Sequence, residues 1–200
     1  MNGILKYVQS VLLLFLFVLT APNALSAAWE FIDADKEVIV FDWVQPGSSL
    51  SEEEKLFIKT FTEAYKKFTP ADLGVEDKLL FLKDSFSDVI KDFIGDRAII
   101  LTAKKNGKVI GFASFNPTDK AHQMYVGQLA VDPDFWRKGI GKELVFGIRR
   151  LQPDVQKIVA IGRRLNSIGK NFFLKIGFTE CAYMHPDYDA KKYVGYEFSF

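Results

Sequence analysis

Between Gln123 and Leu151 the chain runs from an apolar, strand-like stretch through a glycine-bearing loop into an amphipathic segment. This succession limits the fold more than any other part of the sequence. Gln123 to Val131 reads as a strand, Asp132-Pro133-Asp134 leads out of it, and Arg137-Lys138-Gly139-Ile140-Gly141 follows. Ile140, Leu144, Val145, Ile148 and Leu151 then recur at helical spacing until Pro153. Strand, glycine loop and helix in that order make an anion site for a physical reason. The first amides of a helix have no partner inside it, and the helix dipole favours negative charge there. Gly139 and Gly141 carry no Cβ to hold a phosphate away, and Arg137 and Lys138 add positive charge. The spacing is not that of a P-loop, because Lys142 is followed by Glu143 and no glycine stands at the required distance before it. It is not a dinucleotide fingerprint either, since Gly139-Ile140-Gly141-Lys142-Glu143-Leu144 lacks the third glycine. Taken alone, the loop is equally compatible with a tight strand-to-helix turn.

The rest of the chain supplies a context. Glu37 to Asp42 reads as a strand and residues 46–49 as a loop. Ser51-Glu52-Glu53-Glu54 reads as a capping box opening a helix with Leu56, Phe57, Phe61, Ala64, Tyr65 and Phe68 on one stripe. Thr69-Pro70 ends it. A second helix is expected from Val75 to Phe93, with Leu79, Leu82, Phe86, Val89, Ile90 and Phe93 inward and Gly95 as the stop. Residues 97–103 and 109–115 read as a hairpin about Asn106-Gly107, the preferred pair for a two-residue turn. Val155 to Gly162 is a strand, Ser167 to Ile176 a short helix capped by Gly177, and Phe178 to Met184 and Tyr193 to Phe200 close the chain as strands. The order is β-α-α-β-β-β-α-β-α-β-β, without internal repeats.

The start of the chain is of another kind. Lys6 is the only charge before an apolar run from Val11 to Leu19, and Pro22 and Ala24-Leu25-Ser26-Ala27 follow. A charged start, a short apolar centre and a small-residue exit read as a secretory signal peptide over residues 1–27. The run falls short of the roughly 20 apolar residues of a membrane span, although an uncleaved anchor or a mispredicted start is the alternative. The expectation is a secreted or periplasmic domain of residues 28–200, or a membrane-anchored one. Removing residues 1–27 takes away one base and no acid, leaving 25 of each from the chain's 26 and 25. A balanced charge gives no general basic surface for nucleic acid. Cys181 is the only cysteine, so no intramolecular disulfide can form, and it reads as a buried thiol on an apolar strand.

The segment Leu129-Ala130-Val131-Asp132-Pro133-Asp134-Phe135-Trp136-Arg137-Lys138-Gly139-Ile140-Gly141-Lys142-Glu143-Leu144 resembles the central motif of the GNAT-type N-acetyltransferase family. Asn166, with Phe172-Phe173-Leu174-Lys175-Ile176-Gly177-Phe178, is similar to its second motif, Asn…Tyr-x-Lys-x-Gly-Phe. The resemblance covers residues 37–200. It implies an α/β (α+β) fold, with a mixed, mostly antiparallel central sheet flanked by helices and a splayed parallel strand pair. It also implies acetyl-CoA as co-substrate, an amine acceptor (small molecule or protein), and direct attack of the amine on the thioester. By the same resemblance Leu129, Ala130 and Val131 border the pantetheine arm. Arg137, Lys138, Gly139, Ile140, Gly141 and Lys142 hold the pyrophosphate, Asn166 contacts the cofactor arm, and the helix carrying Phe173 packs along the thiol end. No metal is implied.

Two positions depart from the family pattern. Trp136 stands where the glycine signature begins with Gln or Arg, and Phe173 where a tyrosine often protonates the leaving thiolate. Three readings of Phe173 stay open: protonation by water, another donor such as Tyr125, Tyr183 or His185, or a GNAT-like module that binds a CoA compound or a protein without turnover. Use of another acyl donor is a further alternative. The general base is unassigned, with Tyr125 and His185 as candidates. Tyr183, Tyr188, Tyr193 and Tyr196 line an acceptor pocket or build core, and Arg163-Arg164 attracts an anion or is solvated. An export signal also sits awkwardly with a cytosolic metabolite such as acetyl-CoA. Export into a compartment that holds acetyl-CoA, a cytosol-facing tether and an extracytoplasmic binding module each resolve the conflict.

Overall fold

The computed structural model describes residues 28–186 and 188–200, so the signal-like segment lies outside the described residues. Among the described residues eight strands form one sheet: β1 (Trp29–Ile32), β2 (Val38–Trp43), β3 (Ile99–Lys105), β4 (Lys108–Pro117), β5 (Gln123–Val131), β6 (Lys157–Arg163), β7 (Thr179–Cys181) and β8 (Tyr193–Ser199). Their spatial order is β1-β2-β3-β4-β5-β6-β8-β7. Every neighbouring pair is antiparallel except β5 and β6, which are parallel. The helices are α1 (Ser51–Ala64), α2 (Pro70–Leu73), α3 (Lys78–Ile94), α4 (Ile140–Leu151) and α5 (Ser167–Lys175), with a 3-10 turn at Pro133–Phe135.

Central strands buried on both faces need apolar residues in succession, and neighbours there serve opposite layers. Ile100 and Phe112 pack with Phe57, Leu82, Phe86 and Phe93 of α1 and α3. Leu101 and Ala113, one residue on, pack with Ile140, Leu144 and Ile148 of α4. Phe173 of α5 and Tyr196 of β8 join that second layer. Helix α4 lies close on the sheet because two glycines admit it. A Cβ on Gly147 would stand 2.6 Å from Leu101 Cδ2, and one on Gly111 would stand 3.0 Å from Leu144 Cδ1.

The expected architecture holds, a mixed sheet with one parallel pair between helical layers. Local details differ. Strand β1 was not expected; it pairs Trp29 with Phe41 and Ile32 with Val38. Helix α1 starts at Ser51 behind Leu50, with no side-chain cap, so the expected capping box does not form. The capping box occurs instead at Thr69 and Asp72, opening α2. Helix α3 begins after Asp77, whose carboxylate accepts from the Leu80 amide, and Leu79 in its first turn is 49% exposed rather than inward. Strand β6 begins at Lys157 rather than Val155, and β7 is only three residues long, with Cys181 half-buried. The Asn106-Gly107 turn forms as expected, with φ of 50° and 78°. Gly177, at φ 99°, closes α5: its amide donates to the Leu174 carbonyl, and the Phe178 amide donates to that of Phe173.

Candidate active site

Strand β5 pairs with β6 only from Gln123 to Val126, opposite Lys157 to Ala160. From Gly127 onward the two part. Against β4, Phe115 faces Val126 and Ser114 faces Gln128, so Gly127 is an extra, bulged residue. The Asp132 amide donates to the Ile110 carbonyl, and the Gln128 amide to Ser114 Oγ. By the alternation of an antiparallel ladder, Ala130 then turns its backbone to Phe112, whereas Leu129 and Val131 turn theirs toward β6. An open wedge results, with free strand edge on the Leu129 side. From Val126 to Val131 it spans about 17 Å at a rise of ~3.3 Å per residue.

The glycine loop stands at the wedge's open end. Glu143 is the first helical residue whose amide finds a carbonyl, that of Gly139, at 3.1 Å. Among the described residues, the amides of Arg137, Lys138, Gly139, Ile140, Gly141 and Lys142 have no hydrogen-bond acceptor. Arg137 and Gly139 take φ of 67° and 90°, the left-handed region that turns the chain into the helix. Both glycines are also required by packing. A Cβ on Gly139 would lie 3.0 Å from Phe31 Cζ, and one on Gly141 would lie 2.9 Å from Phe172 Cε2. The two basic side chains differ. Arg137 is exposed and pairs with no carboxylate among the described residues. Lys138 Nζ lies 2.6 Å from Asp35 Oδ2 in the β1–β2 turn and 4.9 Å from the centre of the Phe135 ring. The Asp35 hydrogen bond holds the Lys138 ammonium above its ordinary pKa.

Trp136, the first departure, has a structural use: its indole donates to the Val131 carbonyl at 2.7 Å, and Thr60 Oγ1 donates to the same carbonyl at 3.2 Å. The Val131 carbonyl is thereby engaged, while Leu129 keeps both backbone groups toward the wedge. Ala130 is buried under the α1–α3 layer. Asn166 caps α5, its Oδ1 accepting from the Gly169 amide at 2.9 Å. Burial pushes the Tyr65 phenol up to about 12, and Asn166 beside it opposes the rise. Phe173 is 8% exposed and packed among Phe172, Phe178 and Tyr196, a core position.

On the α1–α3 face, at the closed end of the wedge, lies a cleft of about 790 Å³. Tyr125, Gly127 and Gln128 of β5 form its floor, Asp88 and Asp92 one wall, and Tyr183, His185 and Tyr188 another. Asp119 and Lys120 stand at its side. Of the four tyrosines grouped in the sequence, Tyr183 and Tyr188 line this cleft; Tyr193 packs at a tilt against Tyr188 with ring centres 4.6 Å apart, and Tyr196 is on the opposite face. Burial pushes Tyr125 well above the ordinary phenol pKa, and the neighbouring Tyr188 phenol is also raised by burial. Arg163 donates to the Leu73 carbonyl at 2.7 Å, and Arg164 to that of Ala190 at 3.1 Å. Sequence reasoning missed Asp88, Asp92 and Gly127, the last readable only as a glycine inside a strand.

A sequence model of the acetyltransferase (GNAT) family matches residues 58–178, more than half of the chain. The chain belongs to that family. Solved GNAT-family structures share the fold at low identity. The PaiA N-acetyltransferase of Thermoplasma acidophilum, in complex with coenzyme A, aligns at TM-score 0.65 and 16% identity over 81% of this chain and 99% of that one. The GNAT domain of S. lividans PAT aligns at 0.57 and 15%, covering 86% and 97%. The ribosomal-protein-S18-alanine N-acetyltransferase of Escherichia coli aligns at 0.54 and 14%, covering 80% and 93%. Among curated proteins, the UPF0157 protein YqkA of Bacillus subtilis is 28% identical over 94 residues. That stretch is 47% of this chain and 27% of YqkA, so the chain spans about a quarter of the length of that relative.

Proposed function

We propose that this GNAT-family protein is an N-acetyltransferase, in which a primary amine attacks the thioester of acetyl-CoA directly. The observation that carries the reading is the unsatisfied amide run from Arg137 to Lys142 at the mouth of the β5–β6 wedge. These residues fit the group. Six free amides, a helix N-terminus and an uncommitted Arg137 suit a pyrophosphate, and the Leu129 backbone suits the amides of an extended arm. Coenzyme A in the PaiA relative agrees with this. The arm's far end then meets the cleft where β5 and β6 close. Asp119 draws an ammonium group toward the cleft, beside Asp88 and Asp92, which already pair with Lys91 and Arg97, and His185 at its rim can accept a proton before attack. Tyr125 is no base at neutral pH, because burial keeps it protonated. Positioning supplies most of the rate in such a site.

The core placement of Phe173 favours one other reading, a CoA-binding module without turnover. Calorimetric titration of the domain with acetyl-CoA tests the first step, and absence of binding at millimolar ligand refutes both readings. Thiol release over a panel of amines then separates enzyme from binder. Export remains part of the proposal, and the N-terminal sequence of the natural protein tests it: a start at residue 28 is expected.

A further inference from the structure

Among the described residues three buried side-chain atoms lack a hydrogen-bond partner: Asp33 Oδ2, Gln123 Nε2 and the Tyr196 hydroxyl. A buried, unpaired hydroxyl costs about 1–3 kcal/mol, so its retention calls for a partner that arrives later. Tyr196 is 1% exposed and projects from β8 into the α4–α5 layer. Its ring stacks on Phe173, with centres 5.2 Å apart and planes 18° apart. Its far end leans over β6: a Cβ on Gly162 would lie 3.2 Å from Tyr196 Cε2. Gly162 is two residues beyond Ala160, the last β6 residue paired with β5. The Tyr196 ring thus covers β6 just past the closed end of the wedge, on the face opposite the acidic cleft, with the hydroxyl itself buried.

Aminolysis of a thioester expels a thiolate, and a donor in that place stabilises it. We propose that Tyr196 hydrogen-bonds the sulfur at the closed end of the wedge and gives it the proton that Phe173 cannot. This inference rests on the acetyl-CoA reading. The step balances: the amine nitrogen bonds the acetyl carbon as the C–S bond breaks, and the electron pair leaves on sulfur. Tyr196 O–H passes its proton to sulfur, and the phenolate recovers the proton shed by the new amide nitrogen. Burial, and then the Glu180 carboxylate, raise the Tyr196 phenol, so it waits protonated for the developing charge.

The test is Tyr196→Phe, which removes only the orphan oxygen. A ligand-free melting temperature equal to or above wild type is expected, with kcat down about 100-fold or more and KM for acetyl-CoA little changed. By calorimetry the wild type distinguishes CoA from the analogue with hydrogen in place of the thiol, and the variant does not. Adding Phe173→Tyr to Tyr196→Phe restores part of the rate, because the rings are stacked neighbours. An unchanged kcat with unchanged thiol discrimination overturns the proposal, as does a clear fall in ligand-free stability, which assigns the hydroxyl to the fold. A wild type that fails to bind acetyl-CoA overturns instead the reading beneath it.

Discussion

Arg137 and Lys138 are adjacent and alike in charge, yet their removal is expected to have different effects on CoA binding. Lys138 is committed to Asp35 at 2.6 Å and lies over Phe135, whereas Arg137 is exposed without a carboxylate partner among the described residues. An arginine that meets a phosphate makes a charge-assisted hydrogen bond worth about 1.5–3 kcal/mol. At about 1.4 kcal/mol per decade, Arg137→Ala is expected to weaken CoA roughly 10- to 150-fold. Alanine inherits the same positive φ as arginine, so the backbone strain is unchanged by the substitution. Lys138→Ala removes a charge already answered by Asp35 and is expected to change the dissociation constant by about threefold or less. Asp35→Asn frees Lys138 and is expected to tighten binding, with a steeper dependence on salt. Isothermal titration of CoA into the three variants at low and moderate salt measures all three effects. The reasoning fails if Lys138→Ala costs more than Arg137→Ala, or if Asp35→Asn weakens binding.

Gly147→Ala sets two effects against each other, because alanine gains about 0.5–1 kcal/mol in a helix interior. Its Cβ would, however, stand 2.6 Å from the fully buried Leu101 and 3.0 Å from Trp29 Cη2. Overpacking of about 1–3 kcal/mol prevails, and urea denaturation should show a net loss of ~1–2 kcal/mol. A variant as stable as wild type would mean that the Leu101 methyl yields freely. Asp132 anchors the entry to the loop, 2.6 Å from Lys59 Nζ, with its Oδ1 accepting from the Asp134 amide. Burial raises its carboxyl, but the Lys59 ammonium and the Asp134 amide more than offset this and leave it below the ordinary value. A depressed carboxyl stabilises above its unfolded pKa and loses that contribution as pH falls through the folded one. The stability advantage of wild type over Asp132→Asn should therefore be level from about pH 5 to 8 and shrink below about pH 4. An advantage that grew on acidification would contradict the assignment.

The turn from strand to helix at Arg137–Lys142 was legible because it depends on local chemistry: glycines and a helix start. The same holds for the Asn106-Gly107 turn, whose φ angles any strand pair would demand. What depended on partners was not legible. Ser51 offered a capping box, but the helix begins one residue earlier than that box requires, and Leu50 occupies the cap. Leu79 shared a helical stripe, but the Asp77 cap fixes the start of α3 so that Leu79 falls outward. One misplacement was avoidable: Tyr193 and Tyr196 are three apart on a strand, and an odd separation puts them on opposite faces.

Gly127 is the deepest case. In the sequence it is a glycine within a continuous strand, and only the register against β4 reveals an inserted residue. That insertion changes which side chains face which layer. Met124 and Val126 lie in the α4–α5 layer before it, and Ala130 lies in the α1–α3 layer after it. Tyr125, Gly127 and Gln128 all reach the cleft on the α1–α3 side. The bulge also falls at the residue where β5 leaves β6. A single extra residue thus sets the length of the wedge and places the cleft at its closed end. In the proposed reaction, the acyl donor and the amine would approach from opposite faces and meet through the gap. Tyr196 lies on the donor's face and His185 on the amine's, so in that proposal the ammonium would lose its first proton on one side of the sheet and the thiolate would gain one on the other.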